Sequence, residues 1–302
     1  MHPDAEANYQ LLRREPNAVL VHTHRPHAEA EPVRLVRTRG PLRHATQRMD
    51  HDADGARIQA LPIAPIKILI CRPEEPPYHA FATTCHPEPV PLGVQIQPSG
   101  KNWVGTAGCF ARRGDPSDPL SFGCLTNWHV MPWDPAHDQL PAHQPTAQYS
   151  PIAWAVAANQ PRPGKPNTCD AAFCHCWDNP FHTCSPDVHN IGPVAGTPRN
   201  LAVGDHVTKQ GRTTHRTHGH VTAAGVAARV QYDGFVAEFI DQLEIVGDSA
   251  PFSAPGDSGS AVFSEPDLSL GALLFAGGGG ITIASPIHHV TEALSLTFPT
   301  LP

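Results

Sequence analysis

Proline is the residue that most restricts what this chain can fold into, because 34 of its 302 residues are proline. A proline in the interior of a helix removes a backbone hydrogen bond and clashes with the preceding turn. Charged residues make up only 16% of the chain, against about 25% in an average globular protein. The sequence therefore disfavours long helices and coiled coils and favours short elements separated by turns.

The charge balance argues against two classes of partner. The chain carries 21 Lys and Arg against 28 Asp and Glu, a formal charge of −7, and it has no basic tract, so we expect no nucleic-acid partner. No stretch reaches the ~18 consecutive apolar residues of a membrane-spanning helix, so we expect no membrane partner. Acidic residues within Met1–Glu6 stand where a signal peptide has positive charge, which predicts an intracellular, cytoplasmic protein.

Residues 1–92 differ in composition from the rest of the chain. Pro, His, Arg and acidic residues are interleaved from His22 to Asp54, with little hydrophobic periodicity. We interpret residues 1–92 as an N-terminal extension or linker of low regularity. It contains one possible helix, Asp4–Arg14 with Asp4 as its N-cap, and one apolar run typical of a strand, Ile66–Ile70. Neither element buries enough surface to form a domain.

From Val94 onward, short β-type runs alternate with Gly, Pro, Asn and Asp, a pattern typical of a β-sandwich or barrel. We predict strands at Val94–Gln97, Val104–Phe110, Ser121–Asn127, Val207–Lys209, Gly219–Val230, Val236–Ile245, Ser260–Phe263, Leu270–Phe275 and Ile281–Ala284. The segment Pro286–Leu296 has proline at a favourable first position and an apolar spacing that predicts one closing helix. Proline-rich residues 132–151 and 160–166 are predicted loops, and residues 185–198 a join between two β units. The predicted fold class is therefore all-β.

Three short segments carry the residues of a nucleophilic site, in the chain order His, Asp, Ser. They are Asn127-Trp128-His129, Asp170-Ala171-Ala172-Phe173 and Gly256-Asp257-Ser258-Gly259-Ser260. A serine hydroxyl becomes a nucleophile when an imidazole takes its proton, and a buried carboxylate must hold that imidazole in the correct tautomer. We therefore predict catalytic roles for His129, Asp170 and Ser258. Asp178 and Asp187 lie near Asp170, which is favoured because it enters an apolar run.

The glycines around the serine serve the same chemistry. Attack on an amide carbonyl creates an oxyanion, which preorganised backbone N–H groups stabilise. Gly256 permits a peptide orientation that a Cβ would resist, and Gly259 lets the backbone pass close to the nucleophile. We therefore predict an oxyanion hole formed by the backbone N–H groups of Gly256 and Ser258.

These motifs and their order resemble the trypsin/chymotrypsin-like serine peptidases, over about residues 92–296. The resemblance implies a chymotrypsin-like double β-barrel, with the site in the cleft between two six-stranded barrels. Residues 93–190 would form the first barrel, which carries His129 and Asp170. Residues 191–302 would form the second barrel, which carries the serine, and a short C-terminal helix.

The function that this resemblance implies is that of a serine endopeptidase. Such an enzyme hydrolyses peptide bonds through an acyl-enzyme intermediate, takes a protein or peptide as its substrate and needs no cofactor. The alternative is a catalytically weak or inactive trypsin-like fold that acts as a protein-interaction module.

A closer resemblance is to the branch of this family that contains the plant narrow-leaf-type peptidases and their bacterial and fungal relatives. It rests on four segments: Gly105-Thr106-Ala107-Gly108-Cys109, Lys209-Gln210-Gly211-Arg212-Thr213-Thr214, Phe252-Ser253-Ala254-Pro255-Gly256-Asp257-Ser258-Gly259-Ser260 and Gly271-Ala272-Leu273-Leu274-Phe275-Ala276-Gly277. Each segment alone would be weak evidence, whereas the four together are specific.

The resemblance also locates a substrate pocket, which the family builds from residues that begin six before the nucleophile and from a later strand. The corresponding residues here are Phe252, Ser253, Ala254, Leu274, Phe275 and Ala276. None is acidic, and burying a cationic side chain without a counter-charge is costly. We therefore expect cleavage after small or medium apolar residues, with Phe252 at the pocket floor. The alternative is that Phe252 packs inward and the Gly277–Gly280 loop shapes a broad pocket.

Two features depart from the pattern of the family. In secreted members the acid before the nucleophile often pairs with a newly released N-terminus, but no activation sequence precedes the first barrel strand here. We therefore expect Asp257 to have an internal partner, with Arg212 or backbone donors as candidates. Cys109 and Cys124 both precede His129, so they do not fit the usual disulfide that flanks the histidine.

Clusters of cysteine and histidine leave a metal interpretation open. One cluster comprises Cys169, Cys174, Cys176 and Cys184, with His175 and His182 between them; a second comprises His215, His218 and His220. We favour reduced structural thiols for the first cluster, because its spacing differs from that of structural zinc sites; zinc and disulfides are the alternatives. We favour a solvated hairpin for the second cluster, and the prediction for metal is none.

Overall fold

A computed structural model describes residues 1–15, 18–24, 33–38, 57–62, 69–70, 89–115, 121–136, 140–176, 184–194 and 197–298. The described helices are α1 (Ala5–Arg14) and α2 (Ile287–Leu294). The described strands of the N-terminal part and the first half are β1 (Ala18–His24), β2 (Val33–Thr38), β3 (Arg57–Pro62), β4 (Leu69–Ile70), β5 (Val90–Leu92), β6 (Val94–Pro98), β7 (Gly105–Ala107), β8 (Cys109–Arg113), β9 (Phe122–Thr126), β10 (Leu140–His143), β11 (Pro151–Asn159), β12 (Pro166–Asn167), β13 (Ala171–Cys176) and β14 (Cys184–Val188). Those that follow are β15 (His206–Gly211), β16 (His215–Gln231), β17 (Val236–Gly247), β18 (Ala261–Ser264), β19 (Leu270–Gly278), β20 (Ile281–Pro286) and β21 (Leu296–Thr297).

The first barrel is a ring of antiparallel strands. Strand β6 pairs with β7, and β8 pairs in turn with β9, β9 with β13, β13 with β11, β11 with β10 and β10 with β6. Because only Gly108 separates β7 from β8, these two act as one bent strand. The core around this barrel is apolar and includes Ile96, Cys124, Leu125 and Phe173, each fully buried.

The second barrel closes on itself through six strands. Strand β15 pairs with β16, β16 with β17, β17 with β20, β20 with β19, β19 with β18 and β18 with β15. Its interior includes Val221, Ile245, Val262 and Leu274, all buried. The described strands thus form an all-β double barrel with short helices, as predicted.

The C-terminal segment returns to the first barrel. Helix α2 occupies residues within the predicted Pro286–Leu296, and its apolar residues Ile287, Val290 and Leu294 are buried in the same cluster as the first-barrel core. Strand β21 then pairs with β8 of the first barrel. The end of the chain therefore fastens the two barrels together, whereas the sequence grouped it with the second barrel alone.

Four strands of the barrel region lie at least partly where the sequence favoured loops or a join, or offered no strand signal; β12 begins at Pro166 in the predicted loop 160–166, and β14 overlaps the predicted join 185–198. Strand β10 falls within residues 132–151, and β11 begins at Pro151. In β10, Pro141 still accepts a hydrogen bond through its carbonyl from the N–H of Ser99, at 2.9 Å. Proline lacks the backbone N–H donor but keeps its carbonyl acceptor. It therefore fits a strand at positions where the neighbouring strand offers no acceptor for that N–H.

The N-terminal part holds more regular structure than its composition indicates. Helix α1, predicted at Asp4–Arg14, buries Tyr9, Leu11 and Leu12. Strand β1 pairs with β16 of the second barrel, β2 pairs with β1 and β3 with β2. These elements are ordered by the barrel surface on which they pack, since isolated short helices and two-stranded ribbons are marginal in water.

The predicted N-cap of α1 forms a different contact. Asp4 has helical backbone angles and its side chain makes no capping hydrogen bond. Its carboxylate instead accepts a hydrogen bond from the buried guanidinium of Arg34, at 3.1 Å. Of the predicted strand Ile66–Ile70, only β4 lies within the described residues; its backbone pairs with Gln231 at the end of β16 and with Ala276 and Gly277 in β19.

Candidate active site

His129 lies just after the end of β9. The turn that carries it is closed by a hydrogen bond from the N–H of Met131 to the carbonyl of Asn127, at 3.0 Å. Val130 and Met131 are buried in the first-barrel core, which anchors the turn. The imidazole of His129 is only 8% exposed, so it lies in a protected cleft.

Asp170 immediately precedes β13 and is fully buried. Its Oδ2 lies 2.7 Å from Nδ1 of His129, and its Oδ1 accepts a hydrogen bond from the backbone N–H of His129, at 3.3 Å. The side-chain amide of Asn127 donates to the backbone carbonyl of Asp170, at 2.7 Å. The carboxylate therefore holds the imidazole through its Nδ1 edge and leaves Nε2 to face away. The alternative Asp187 is exposed in β14, and Asp178 lies outside the described residues.

Ser258 lies at the tip of a tight turn between β17 and β18. Gly256 and Gly259 have φ of 98° and 94°, values that L side chains rarely adopt. The N–H of Asp257 donates to Ala254 and that of Gly259 donates to Leu274, each at 3.0 Å. The backbone N–H groups of Gly256 and Ser258 make no hydrogen bond within the described residues. Both could therefore donate to an oxyanion.

The segment Gly105–Gly108 joins the histidine and serine segments. The N–H of Thr106 donates to the carbonyl of Ser258 at 2.9 Å, and its hydroxyl donates to the carbonyl of Gly256 at 3.0 Å. A Cβ on Gly105 would lie 2.4 Å from a methyl group of Val130 and 3.1 Å from the carbonyl of Ser258. The residues next to His129 and Ser258 therefore pack against each other at the junction of the barrels.

Two buried side-chain atoms near this junction have no hydrogen-bond partner in the described residues. His129 Nε2 and Ser258 Oγ are both buried, and neither makes a hydrogen bond within the described part of the chain. Buried polar atoms usually have a partner. An imidazole nitrogen and a hydroxyl left in this way are the groups between which a proton can pass when a substrate enters.

Asp257 is satisfied internally by backbone donors, one of the two expected alternatives, and Arg212 makes no hydrogen bond or ion pair with it in the described residues. Its carboxylate accepts hydrogen bonds from the backbone N–H groups of Thr213, Thr214 and Ala254, at 2.7, 3.2 and 3.0 Å. The cation that faces it is Lys209, whose Nζ lies 3.4 Å from Oδ2 with both side chains fully buried. Burial lowers the pKa of Lys209, and the charge of Asp257 opposes that shift.

Arg212 contacts a different acceptor. Its Nε donates to Oε1 of Gln95 at 2.9 Å, which ties the turn between β15 and β16 to β6 of the first barrel. Lys209 lies in β15 with its side chain toward the acid, whereas Arg212 follows the end of that strand. Of the two candidates that the sequence offered, the backbone donors are therefore confirmed and Arg212 makes no direct contact, while the charged partner is Lys209.

The predicted pocket residues differ in exposure. Phe252, Leu274, Phe275 and Ala276 are fully buried, whereas Ser253 and Ala254 are partly exposed. The Phe252 ring lies in the core of the second barrel, in the same cluster as Leu274. The hydroxyl of Ser253 lies 2.6 Å from that of Thr282, a residue that the sequence interpretation did not include.

The described cysteines are buried free thiols. They are Cys109, Cys124, Cys169, Cys174, Cys176 and Cys184. Burial raises the pKa of Cys169 to about 12. Contact with Cys124 and burial raise the pKa of Cys174, which faces Cys124 directly across β13 and β9. These thiols have the low reactivity of structural cysteines. His182, which the sequence placed in the same cluster, lies outside the described residues.

The surface histidines pair with carboxylates. Nδ1 of His218 lies 3.0 Å from Glu265, and Nδ1 of His220 lies 2.9 Å from Asp248, all of them at the surface. His215 begins β16 and is exposed.

Asp241, His288 and His289 form one group in the described residues with the ligand types of a metal site. Nε2 of His289 lies 2.8 Å from one oxygen of Asp241, and the other oxygen accepts the N–H of His2 at 2.8 Å. Both carboxylate oxygens are thus used in hydrogen bonds that connect β17 to α2 and to the N-terminal part. This group is a structural connection.

Sequence reasoning missed Tyr232 and passed over Lys209. The hydroxyl of Tyr232 donates to Oδ2 of Asp170 at 2.7 Å, although 62 residues separate them. A tyrosine beside the Asp-Gly turn of a hairpin is an ordinary pattern, so the sequence offers no signal for it. Lys209 could have been found from the sequence, because it lies within Lys209-Gln210-Gly211-Arg212-Thr213-Thr214, one of the four segments that carry the family resemblance.

Comparison with known proteins adds evidence on the fold. No model of a protein family matches this chain, and no curated protein sequence matches it significantly. Among solved structures, chymotrypsin from Cellulomonas bogoriensis is 18% identical with a TM-score of 0.50, over 70% of this chain and 99% of that one. The Nocardiopsis protease NAPase is 19% identical with a TM-score of 0.50, over the same shares.

These structural neighbours are serine proteases, and at such low identity they show the fold alone. Neither helix of the described residues is long and apolar enough to span a bilayer. Together with the strand pairings described above, the neighbours show that this chain has the chymotrypsin-like double β-barrel fold.

Proposed function

We propose that this protein is a serine endopeptidase of the trypsin/chymotrypsin type, within the branch that contains the plant narrow-leaf-type peptidases. The observation that carries the proposal is the contact between Asp170 and Nδ1 of His129, at 2.7 Å, together with the buried and unpartnered Nε2 of His129 and Oγ of Ser258. Unpartnered Nε2 atoms also occur at His143 and His288 within the described part of the chain, so the proposal depends on the combination of a buried carboxylate on Nδ1 of His129 with the serine turn that packs beside it.

The reaction follows from these groups. His129 Nε2 takes the proton of Ser258 as its Oγ attacks the scissile carbonyl, and Asp170 stabilises the imidazolium that forms. His129 then gives the proton to the leaving amine, and an acyl-enzyme on Ser258 remains. Water activated by the same imidazole hydrolyses the acyl-enzyme and restores the free serine.

The developing oxyanion would be received by the N–H groups of Gly256 and Ser258. A Cβ on Gly256 would lie 2.6 Å from Oγ1 of Thr213, so glycine is required for this turn. The acid between the two donors, Asp257, is held by Lys209 and by backbone N–H groups. The donors are therefore arranged before substrate arrives, which is what makes such a site effective.

The substrate preference proposed here is for small or medium apolar side chains before the scissile bond. No acid lies among the six pocket residues, and the hydroxyls of Ser253 and Thr282 are engaged with each other. The ring of Phe252 is fully buried in the core of the second barrel, which favours the alternative that Phe252 packs inward over Phe252 as the pocket floor. Digestion of a peptide library tests this preference, and efficient cleavage after Arg or Lys would exclude it.

One strand edge near this pocket is already paired. The backbone of Leu69 and Ile70 lies antiparallel to Ala276 and Gly277 of β19. An extended peptide adds to a sheet by pairing with a free strand edge. A substrate strand that used Ala276 and Gly277 would therefore have to replace these pairs.

The experiment that tests the proposed function uses a fluorophosphonate probe, which labels only an activated serine. We expect the wild-type protein to be labelled and to cleave peptides, and Ser258→Ala to lose both properties while it keeps its fold. The matched control is Ser264→Ala, which removes a buried serine hydroxyl of β18 that contacts Asp267 and should retain both.

Two outcomes would reject the proposal. Turnover that persists in Ser258→Ala would exclude this serine as the nucleophile. A folded wild-type protein that neither reacts with the probe nor cleaves any member of a denatured proteome would favour the protein-interaction module.

A further inference from the structure

Tyr232 extends the candidate site onto the second barrel. It lies in the hairpin between β16 and β17, where its N–H donates to the carbonyl of Phe235 at 2.8 Å. The side-chain amide of Gln231 donates to the carbonyls of Tyr232 and Phe235, at 2.7 and 3.0 Å. The hairpin is thus fixed by its own hydrogen bonds, and it carries Tyr232 to an acid of the first barrel.

The hydroxyl of Tyr232 and the imidazole of His129 share one oxygen of Asp170. Tyr232 Oη donates to Oδ2 at 2.7 Å, and Nδ1 of His129 lies 2.7 Å from the same atom. Tyr232 is 3% exposed and Asp170 fully buried, so no water layer separates them. Hydrogen bonds to an ionised acceptor are roughly twice as strong as neutral ones.

The ring of Tyr232 is held by aromatic neighbours. Phe235 stacks on it with ring centroids 5.0 Å apart and planes 6° from parallel, and Phe239 lies 6.3 Å away on a tilt of 24°. His129 meets the ring edge-on, with centroids 6.1 Å apart and planes at 75°. These contacts leave the hydroxyl little freedom to turn away from Asp170.

Burial and the groups near Asp170 keep the hydroxyl of Tyr232 protonated, so that it can donate a hydrogen bond. Burial and the charge of Asp170 raise the pKa of Tyr232 well above its usual value. Cys169, the other titratable group that acts on it, has a pKa raised to about 12 by burial. Both groups are therefore neutral in the physiological range, and the phenol donates to the carboxylate throughout it.

We propose that Tyr232 is a positioning residue for the reaction proposed above, and that its hydroxyl fixes Asp170 and moderates the negative charge that Asp170 presents to His129. This inference rests on the proposed function of the site. A donor on Oδ2 draws charge from the oxygen that supports the imidazolium. Without that donor, His129 would hold a proton more tightly and be free to act as a base only at higher pH.

The test compares Tyr232→Phe with the wild type in kcat, KM and the pH profile of kcat/KM. We expect kcat to fall about 10-fold to 100-fold, the size of a lost hydrogen bond to a charged group, with KM little changed. We expect the acid limb of the profile to move to higher pH by about half a unit to one unit. Tyr9→Phe is the matched control, because Tyr9 also contacts a carboxylate, Glu238, at 3.3 Å.

A second variant reverses the sign of the change. Replacing Tyr232 with 3-fluorotyrosine makes the phenol a stronger donor and keeps its size nearly unchanged. We expect the acid limb to move to lower pH in this variant. A residue that only fills space would leave the limb in place in both variants, whatever their stability.

The inference can fail separately from the proposed function. An NMR titration of His129 needs no catalysis, and its midpoint should move upward in Tyr232→Phe and stay in place in Tyr9→Phe. An unchanged midpoint and pH profile in a folded Tyr232→Phe protein would overturn the inference even if the enzyme is active. An inactive wild type with the expected midpoint shift would overturn the proposed function and leave the positioning role standing.

Discussion

The regions around Asp170 and Asp257 both contain a buried carboxylate, and they stabilise its negative charge with different kinds of partner. Each contains a fully buried carboxylate, one at the edge of the first barrel and the other beneath the turn of Ser258 in the second. Asp170 faces neutral or titratable donors, namely the imidazole of His129 and the phenol of Tyr232. Asp257 faces a cation, Lys209, and three backbone N–H groups.

This difference shows what each acid contributes. A buried carboxylate without a neighbouring cation can stabilise a positive charge that appears during a reaction, because its charge is not already neutralised. A carboxylate that is paired with a lysine and bonded to several fixed N–H groups holds a backbone shape instead. Asp170 is thus arranged to respond to a proton on His129, and Asp257 to hold the turn that carries the N–H groups of Gly256 and Ser258, the proposed oxyanion donors.

The strongest test of this comparison is Asp170→Asn. An amide cannot hold His129 in the tautomer that leaves Nε2 as a base, so we expect kcat to fall by about 10⁴-fold. The free energy of unfolding should change much less, because the asparagine side chain has the same size. Steady-state kinetics and denaturant unfolding of the same preparation measure both quantities. A loss of less than tenfold in kcat would mean that Asp170 does not serve the imidazole.

The next effect in size is on Asp257, through Lys209→Met. This change leaves a buried carboxylate without its cation, so we expect the free energy of unfolding to fall by about 3–5 kcal/mol. Because the same acid orders the oxyanion donors, peptide cleavage should fall as well. Lys101→Met is the control, since Lys101 is exposed and should change stability by less than about 0.5 kcal/mol. A loss as small in Lys209→Met would show that the backbone donors and the hydroxyl of Thr214 hold the acid without the cation.

The smallest expected effect concerns the pH dependence of the free energy of unfolding, to which the two regions contribute with opposite signs. Burial raises the pKa of Cys169, beside Asp170, from 9.0 to about 12, so the unfolded chain loses this proton first and stability falls as pH rises above about 9. Burial lowers the pKa of Lys209 from 10.5, so the folded chain loses this proton first and the contribution to stability increases with pH up to 10.5.

Unfolding measured between pH 9 and 10.5 tests these opposite signs. Cys169→Ala should flatten the decline in stability by about 1 kcal/mol per pH unit. Lys209→Met should make the decline steeper, since it removes a rising contribution. Slopes that change in the same direction in the two variants would contradict the comparison.

Much of the fold could be predicted because local pattern and final structure agree. Six of the predicted strands, from Val207–Lys209 to Ile281–Ala284, correspond to the six strands of the second barrel, since apolar runs there are bounded by Gly, Pro and Asp. The positive φ of Gly256 and Gly259 likewise follows from residue type. Strands β10 and β11 were not predicted, because proline and alanine carry little β signal and pairing with β6 and β13 decides their conformation.

The amino-acid sequence by itself determined the residue types and chain order of the site, His129, Asp170 and Ser258, and the glycines that their turn requires. Only the tertiary structure decided which side chains surround the two acids. The choice of Lys209 over Arg212 depends on which face of β15 turns toward Asp257 and on the turn that directs Arg212 to Gln95, and the contact between Tyr232 and Asp170 depends on how a hairpin of one barrel meets the other. Such contacts join residues far apart in the chain, and no local pattern records them because barrel closure and strand register, which act over long range, bring them together.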